Sequence, residues 1–150
     1  MQIIQLGKFI GILHRRLQIA ISHDLTLPEL NASNANFLLF ISEHDRVTAK
    51  QISSELAINK GLVSREMLRL ETAGYIERHT DQSDRRTVWI TSTQTGKDAS
   101  RSIRRLMNHL WQEVLGEPEP ADLETVYENL LTWSERITDL ESPLQGKSKS

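Results

Sequence analysis

The sequence predicts a mainly α (α+β) fold: a winged helix-turn-helix with a small β-hairpin wing, flanked by long N- and C-terminal dimerisation helices. Three observations predict it. Two short helix signatures, "TAKQISSELA" and "KGLVSREMLRLETAG", follow one another with only a tight turn between them. Behind them "YIERH" and "TVWIT", rich in β-branched and aromatic residues, bracket the polar "TDQSDR" as the strands of a hairpin bracket its loop. Both ends of the chain carry apolar residues every three or four positions, the spacing of one helix face.

The elements follow in order. Leu6, Ile10, Leu13, Leu17 and Ala20 mark the first helix, which "LTLPEL" is expected to end at Pro28. A second helix should start near Ser33 and bury Phe37, Leu38 and Ile41. In the third, Thr48 and Gln51 form a capping box in which hydroxyl and amide each satisfy an orphan backbone N–H, and Ile52 and Leu56 face inward. Asn59 caps the fourth, whose inner residues are Val63, Met67 and Leu70, and Gly74 ends it in the left-handed conformation that glycine accepts. In the hairpin Val88 and Ile90 should point inward. Thr91 with Gln94 repeats the capping-box pattern and starts a fifth helix with Ile103, Leu106, Leu110 and Val114 on one face. "GEPEP" breaks it, and Leu123, Val126, Leu130, Trp133, Ile137 and Leu140 mark a sixth. The resulting division is an N-terminal dimerisation helix (1–30), a winged helix-turn-helix domain (31–97; helix-turn-helix 48–73, wing 75–91), C-terminal dimerisation helices (98–142) and a disordered tail (143–150).

A length of 150 residues suits one compact domain with extra helices that pack on a partner. The long first, fifth and sixth helices carry more apolar surface than so small a middle can cover, so a symmetric homodimer is expected, with Trp111 and Trp133 in its packing. No apolar run approaches the ~20 residues of a membrane-spanning helix, and the basic residues of the first helix interrupt any signal-peptide pattern. There is no cysteine, which excludes disulfides, thiolate ligands and a thiol switch and fits a reducing cytoplasm.

A net charge of −2 conceals a division. Gln112 to Ser142 holds nine acids against one base, a net of −8, whereas Lys60 to Leu106 holds ten bases against six acids, a net of +4. The outer face of the fourth helix presents Lys60, Gly61, Ser64, Arg65 and Arg69, beside Lys50 and Asn59. Lysine and arginine neutralise phosphates, serine bonds phosphate or a base edge, and the arginine fork matches guanine O6 and N7. Gly61 lets backbone approach a duplex. Basic residues on a solvated helix face are also commonplace, and the hairpin tips the balance. Asp84, Arg85 and Arg86 stand at its tip, where an arginine can enter a narrow minor groove and Asp84 can brace a guanidinium.

Here the residues resemble the MarR family of bacterial transcription regulators, through Val47 to Ser100. "RLETAGYIER", "DRR" and "ITSTQTGK" are similar to the family's leucine-glutamate-x-x-glycine run, its D-x-R wing and its L-T-x-x-G lead into the fifth helix, with Ile90 in place of the usual leucine. The resemblance implies a homodimer that binds a pseudo-palindromic operator in double-stranded DNA, usually as a repressor released by a small aromatic or anionic effector. It implies that the fourth helix is the recognition helix, with Ser64 and Arg65 at the major groove. Arg86 is then the minor-groove arginine, Asp84 its partner and Arg85 a phosphate contact. It also implies a ligand site where the dimerisation helices meet the DNA-binding domain, with His14, Leu17, Phe37 and Phe40 as candidates against a plainer role in core or interface.

Other functions fit less well. Ser64, His79 and Asp84 share the residue types of a hydrolytic triad but fall on a helix face and a wing, so no enzyme is expected. His14, His23, His44, His79 and His109 include no metal-binding pair at close spacing, so neither metal nor cofactor is expected. The alternative from another class is a winged helix that binds protein, for which Asp84-Arg85-Arg86 would have no use.

Overall fold

A computed structural model of the chain describes residues 2–141; the tail expected at 143–150 lies outside the described residues. The order is α1 (Ile3–Asp24), α2 (Ala32–Ser42), α3 (Ala49–Glu55), α4 (Lys60–Thr72), β1 (Ile76–Thr80), β2 (Val88–Ser92), α5 (Gln94–Leu115) and α6 (Pro120–Glu141). This is the expected mainly helical winged fold. The chain divides between Trp111 and Gln112 into two compact units.

The first unit is built around α2. Asn31 caps it, its side chain accepting from the N–H groups of Ser33 and Asn34, while the Asn34 side chain accepts from the Asn31 N–H. Behind this box Phe37, Leu38 and Ile41 are wholly buried and meet Ile52 of α3, Val63, Met67 and Leu70 of α4, Ile90 of β2 and Ile103 of α5 in one core. Burial of so many large side chains, each worth ~1.5–3 kcal/mol, sets the geometry of everything outside it.

α1 ends at Asp24, short of Pro28. Leu25 takes up extended backbone while its N–H still reaches Ile21 O at 2.8 Å. A proline disfavours helix in the residue before it and offers no N–H to the preceding turn. The link to α2 instead passes through Glu29 at φ 59°, whose carbonyl accepts from Asn34 Nδ2 at 2.9 Å.

The α3 capping box forms as the sequence predicts, with Gln51 N donating to Thr48 Oγ1 (3.2 Å) and Thr48 N to Gln51 Oε1 (2.8 Å). Asn59 Oδ1 accepts from Leu62 N at 2.9 Å to start α4, and Gly74, at φ 79°, ends it. β1 and β2 pair antiparallel, Ile76 opposite Ser92 through Thr80 opposite Val88. Val47 adds a bridge on the other edge of β2, exchanging backbone hydrogen bonds with Ile90 at 3.0 and 2.7 Å. Ile90 is 2% exposed, but Val88 is 41% exposed, contrary to expectation. The two share a face of the strand; the core ends under Ile90, and Val88 pairs with Thr80 at the last register position before the wing turn.

The start of α5 also differs. Thr91 stays in β2 opposite Glu77, and the cap is Thr93, whose hydroxyl accepts from Gly96 N (3.0 Å) and donates to Gly74 O (2.7 Å). Gly96 decides this: a Cβ there would stand 2.0 Å from the Tyr75 carbonyl oxygen, so only glycine lets α5 start against the backbone that leads into β1. The T-x-x-G spacing therefore falls on Thr93 and Gly96, and Ser92, not Ile90, occupies the leucine place of the motif. Its hydroxyl joins a small polar cluster, 3.1 Å from Ser42 Oγ, which lies 2.6 Å from Ser100 Oγ.

In the second unit α6 starts with Pro120 at its first position, where a missing N–H costs nothing. Gly116, at φ 67°, follows the end of α5. In the single chain Leu123, Val126, Leu130, Trp133, Ile137 and Leu140 are all exposed.

Candidate nucleic-acid interface

Three elements of the first unit bring the basic residues together. With Val63, Met67 and Leu70 facing the core, α4 must turn Lys60, Gly61, Ser64, Arg65 and Arg69 outward, and all five are exposed. A Cβ on Gly61 would meet nothing nearer than Asn59 Oδ1 at 3.4 Å, an ordinary contact, so folding does not demand this glycine. Lys50 of α3 lines two adjoining hollows. One includes Lys60 and Val63, and the other Thr48, Arg86, Thr87 and Val88. Lys50 thus sits between the start of α4 and the wing, joining what the sequence shows as separate basic runs.

The wing turn is held by two carboxylates. Asp81 accepts at one oxygen from Ser83 N (2.8 Å), Ser83 Oγ (2.6 Å) and Asp84 N (3.0 Å), and at the other from Trp89 Nε1 (2.7 Å). These bonds, first that from the Ser83 hydroxyl, hold its carboxyl well below the usual carboxylate range. Sequence reasoning missed Asp81; an acid two residues before a serine in a turn was the available signal. Asp84 does not brace a guanidinium. Its carboxylate accepts from Arg86 N (3.0 Å) and Thr87 Oγ1 (2.9 Å), so it shapes the backbone that carries Arg86 and leaves that side chain free. An aspartate reaches an N–H two residues on with little loss of side-chain freedom, whereas an exposed ion pair with a long arginine repays little.

Among the described residues of the first unit, four arginines pair with carboxylates. Arg69 pairs with Glu66 at 3.9 Å, Arg78 with Glu71, Arg101 with Asp98, and Arg104 with Glu43 at 3.2 Å. Among the described residues Lys50, Lys60, Arg65, Arg85 and Arg86 have no carboxylate within ion-pair distance. Arg69, placed in the same set by sequence, differs from the others in this respect. Asn59 also commits its side-chain oxygen, to the α4 cap.

Of the ligand candidates, His14 and Phe40 line a cleft with Asn36, Leu39, Glu43, Leu56 and Ile58. Its walls come from α1, α2 and the α3–α4 connection, with no residue of α5. Phe37 does not reach it: at 0% exposure it is a core residue, turned inward by the same helix that turns Phe40 out. Leu17 is half-buried and not on the cleft wall. Of the residues that suggested a triad, His79 lies 3.3 Å from Glu77 and Asp84 is bound to the wing backbone.

Comparison with known proteins bears on this geometry. The profile of the MarR family matches residues 23–87. An uncharacterized HTH-type transcriptional regulator of Bacillus subtilis, YwhA, is 27% identical over 108 residues, covering 69% of this chain and 78% of that protein. A MarR family regulator from Listeria monocytogenes, solved in complex with a 26mer DNA, superposes with a TM-score of 0.87 at 19% identity, over 95% of each chain. Streptococcus pneumoniae FabT, also solved with DNA, gives 0.75 at 20% identity, over 93% of this chain and 99% of that one. At these identities the solved structures speak for the fold.

Proposed function

We propose that the chain is a transcriptional regulator of the MarR family, a repressor that binds a pseudo-palindromic operator as a homodimer and is released by a small ligand. The observation that carries the DNA-binding part is the group of cations without carboxylate partners along α3, α4 and the wing. An arginine already neutralised must give up its partner to meet a phosphate, whereas Lys50, Lys60, Arg65, Arg85 and Arg86 need only shed water and counterions. On this reading α4 enters the major groove, with Arg65 and Ser64 toward base edges. Arg86 enters the flanking minor groove from a turn whose backbone Asp84 fixes, and Lys50 meets the phosphates between them. Two copies related by a twofold axis would place the half-sites ~10 bp apart.

Dimerisation is supported by the apolar surface left open in the single chain. Leu6, Phe9, Ile10, Ile12 and Leu13 form an open apolar groove on α1, and α6 exposes a whole apolar stripe. Release is supported by the His14–Phe40 cleft. It joins α1 to the winged helix, so an occupant there acts on the placement of the recognition helix. A cleft walled by Leu39, Phe40, Leu56 and Ile58 and rimmed by His14, Asn36 and Glu43 suits a small aromatic ligand.

The experiment is a salt-titrated gel shift on the DNA upstream of the chain's own gene. Binding should weaken steeply with salt, and Arg86→Ala should cost ~1–3 kcal/mol of operator affinity with the melting temperature unchanged. Binding unaltered by Arg86→Ala would remove the wing from the interface.

A further inference from the structure

We propose that Arg46, held over the indole of Trp89, is a DNA-phosphate contact beside the wing; this rests on the DNA-binding reading above. Arg46 precedes Val47, the residue that bridges to Ile90. Since Val47 and Ile90 face the core, their neighbours Arg46 and Trp89 fall on the opposite, outward face of the same small sheet. There the guanidinium carbon lies 4.1 Å from the centroid of the Trp89 ring. The ring face attracts the cation, and the exposed side chain keeps N–H donors for a further partner.

Trp89 is itself fixed at a second point, since its Nε1–H donates to Asp81 Oδ2 at 2.7 Å. Asp81 also binds Ser83 and Asp84 of the wing turn. A continuous chain of interactions therefore runs from the segment before α3, through the indole, to the turn that carries Arg86. The remaining carboxylates on this face are engaged: Asp81 by four hydrogen bonds, Glu77 by His79 at 3.3 Å. Among the described residues Arg46 has no carboxylate within ion-pair distance, and it is exposed. It thus belongs with the unpaired cations of the interface.

A wing set into a minor groove has a phosphate strand along each side. Lys50 shares a hollow with Arg86 and Val88, on the core-facing side of the hairpin. Arg46 is its counterpart on the outward side. Because the ring contact restricts the side chain before DNA arrives, less conformational entropy remains to be lost on binding.

The test reads the slope of log affinity against log salt concentration for the full chain on operator and on random DNA. Arg46→Met should lower the slope by about 0.9, the change expected when one phosphate is no longer neutralised. Between 50 and 200 mM salt the variant would then lose about 3.5-fold less affinity than the wild type. The weakening at fixed salt should be the same factor on both DNAs, because a bond to phosphate carries no sequence information. Arg46→Lys, which keeps the charge, should keep the slope. A wild-type slope in Arg46→Met, or a slope lowered equally in Arg46→Lys, overturns the proposal, since the residue would then serve only to hold the wing. Wild-type protein that bound neither DNA at any salt would instead overturn the DNA-binding reading beneath it.

Discussion

α2 and α6 put apolar residues to opposite use. α2 is 11 residues long and buries Ala32, Ala35, Phe37, Leu38 and Ile41 within its own unit. α6 is 22 residues long and leaves its whole apolar stripe, Leu123 to Leu140, exposed in the single chain. A short helix cannot stand alone in water, so α2 exists because its surroundings bury it. A longer helix gains more from its own hydrogen bonds, but an exposed stripe containing tryptophan, leucine and isoleucine is costly unless another surface covers it. The difference teaches a division of labour. The winged helix completes itself, whereas the terminal stripe has no cover of its own in the single chain.

Two substitutions would break that contrast if it is wrong. Phe37→Ala should have the largest effect, ~3–5 kcal/mol of unfolding free energy, because a wholly buried phenylalanine leaves a cavity that the surrounding elements cannot close. Chemical denaturation followed by circular dichroism measures it; a loss under ~1 kcal/mol would mean the core is far looser than its burial implies. The double change Leu130→Asp with Ile137→Asp should leave the melting of the winged helix in place and abolish self-association. Each buried side chain of that size contributes ~1.5–3 kcal/mol. Sedimentation velocity gives the answer directly, and a surviving dimer would show that α6 lies outside the dimer interface.

The legible parts of this fold were the local ones. Thr48 and Gln51 announce α3 because a capping box is complete within four residues, and Val63, Met67 and Leu70 announce the inner face of α4 by spacing alone. What was hidden depended on distant partners. Val47 carries no strand signal of its own, since it pairs only with Ile90. The cap of α5 had two threonines to choose from, and the close approach of Gly96 to Tyr75 O, invisible in the local pattern, selects Thr93 over Thr91. In the interface the basic residues were legible and their partners were not. Asp84 beside two arginines suggests an ion pair, yet it serves the backbone. Asp81, whose bonds span the turn and reach Trp89, reads in the sequence as one more polar loop residue.

Asp81 gives the smallest global effect and the sharpest test of how the wing is held. Asp81→Asn keeps the shape but leaves one acceptor oxygen where the carboxylate has two, so either Trp89 Nε1–H or the Ser83 and Asp84 N–H groups must go without a partner. The melting temperature should barely move, because the turn lies outside the core. Amide hydrogen exchange at Ser83 and Asp84 should quicken, and operator affinity should fall a few-fold. Dependence on pH separates this from a general loosening. The folded-state pKa of Asp81 is depressed, so its contribution is complete above the ordinary carboxylate value of ~4. It is lost only as pH falls through the depressed one. Between pH 8 and 5 the wild-type exchange rates, corrected for the intrinsic effect of pH, should therefore stay flat, and the deficit of Asp81→Asn should be constant. A wild-type wing that loosens already near pH 5 would mean that something other than the Asp81 carboxylate holds Arg86 in place.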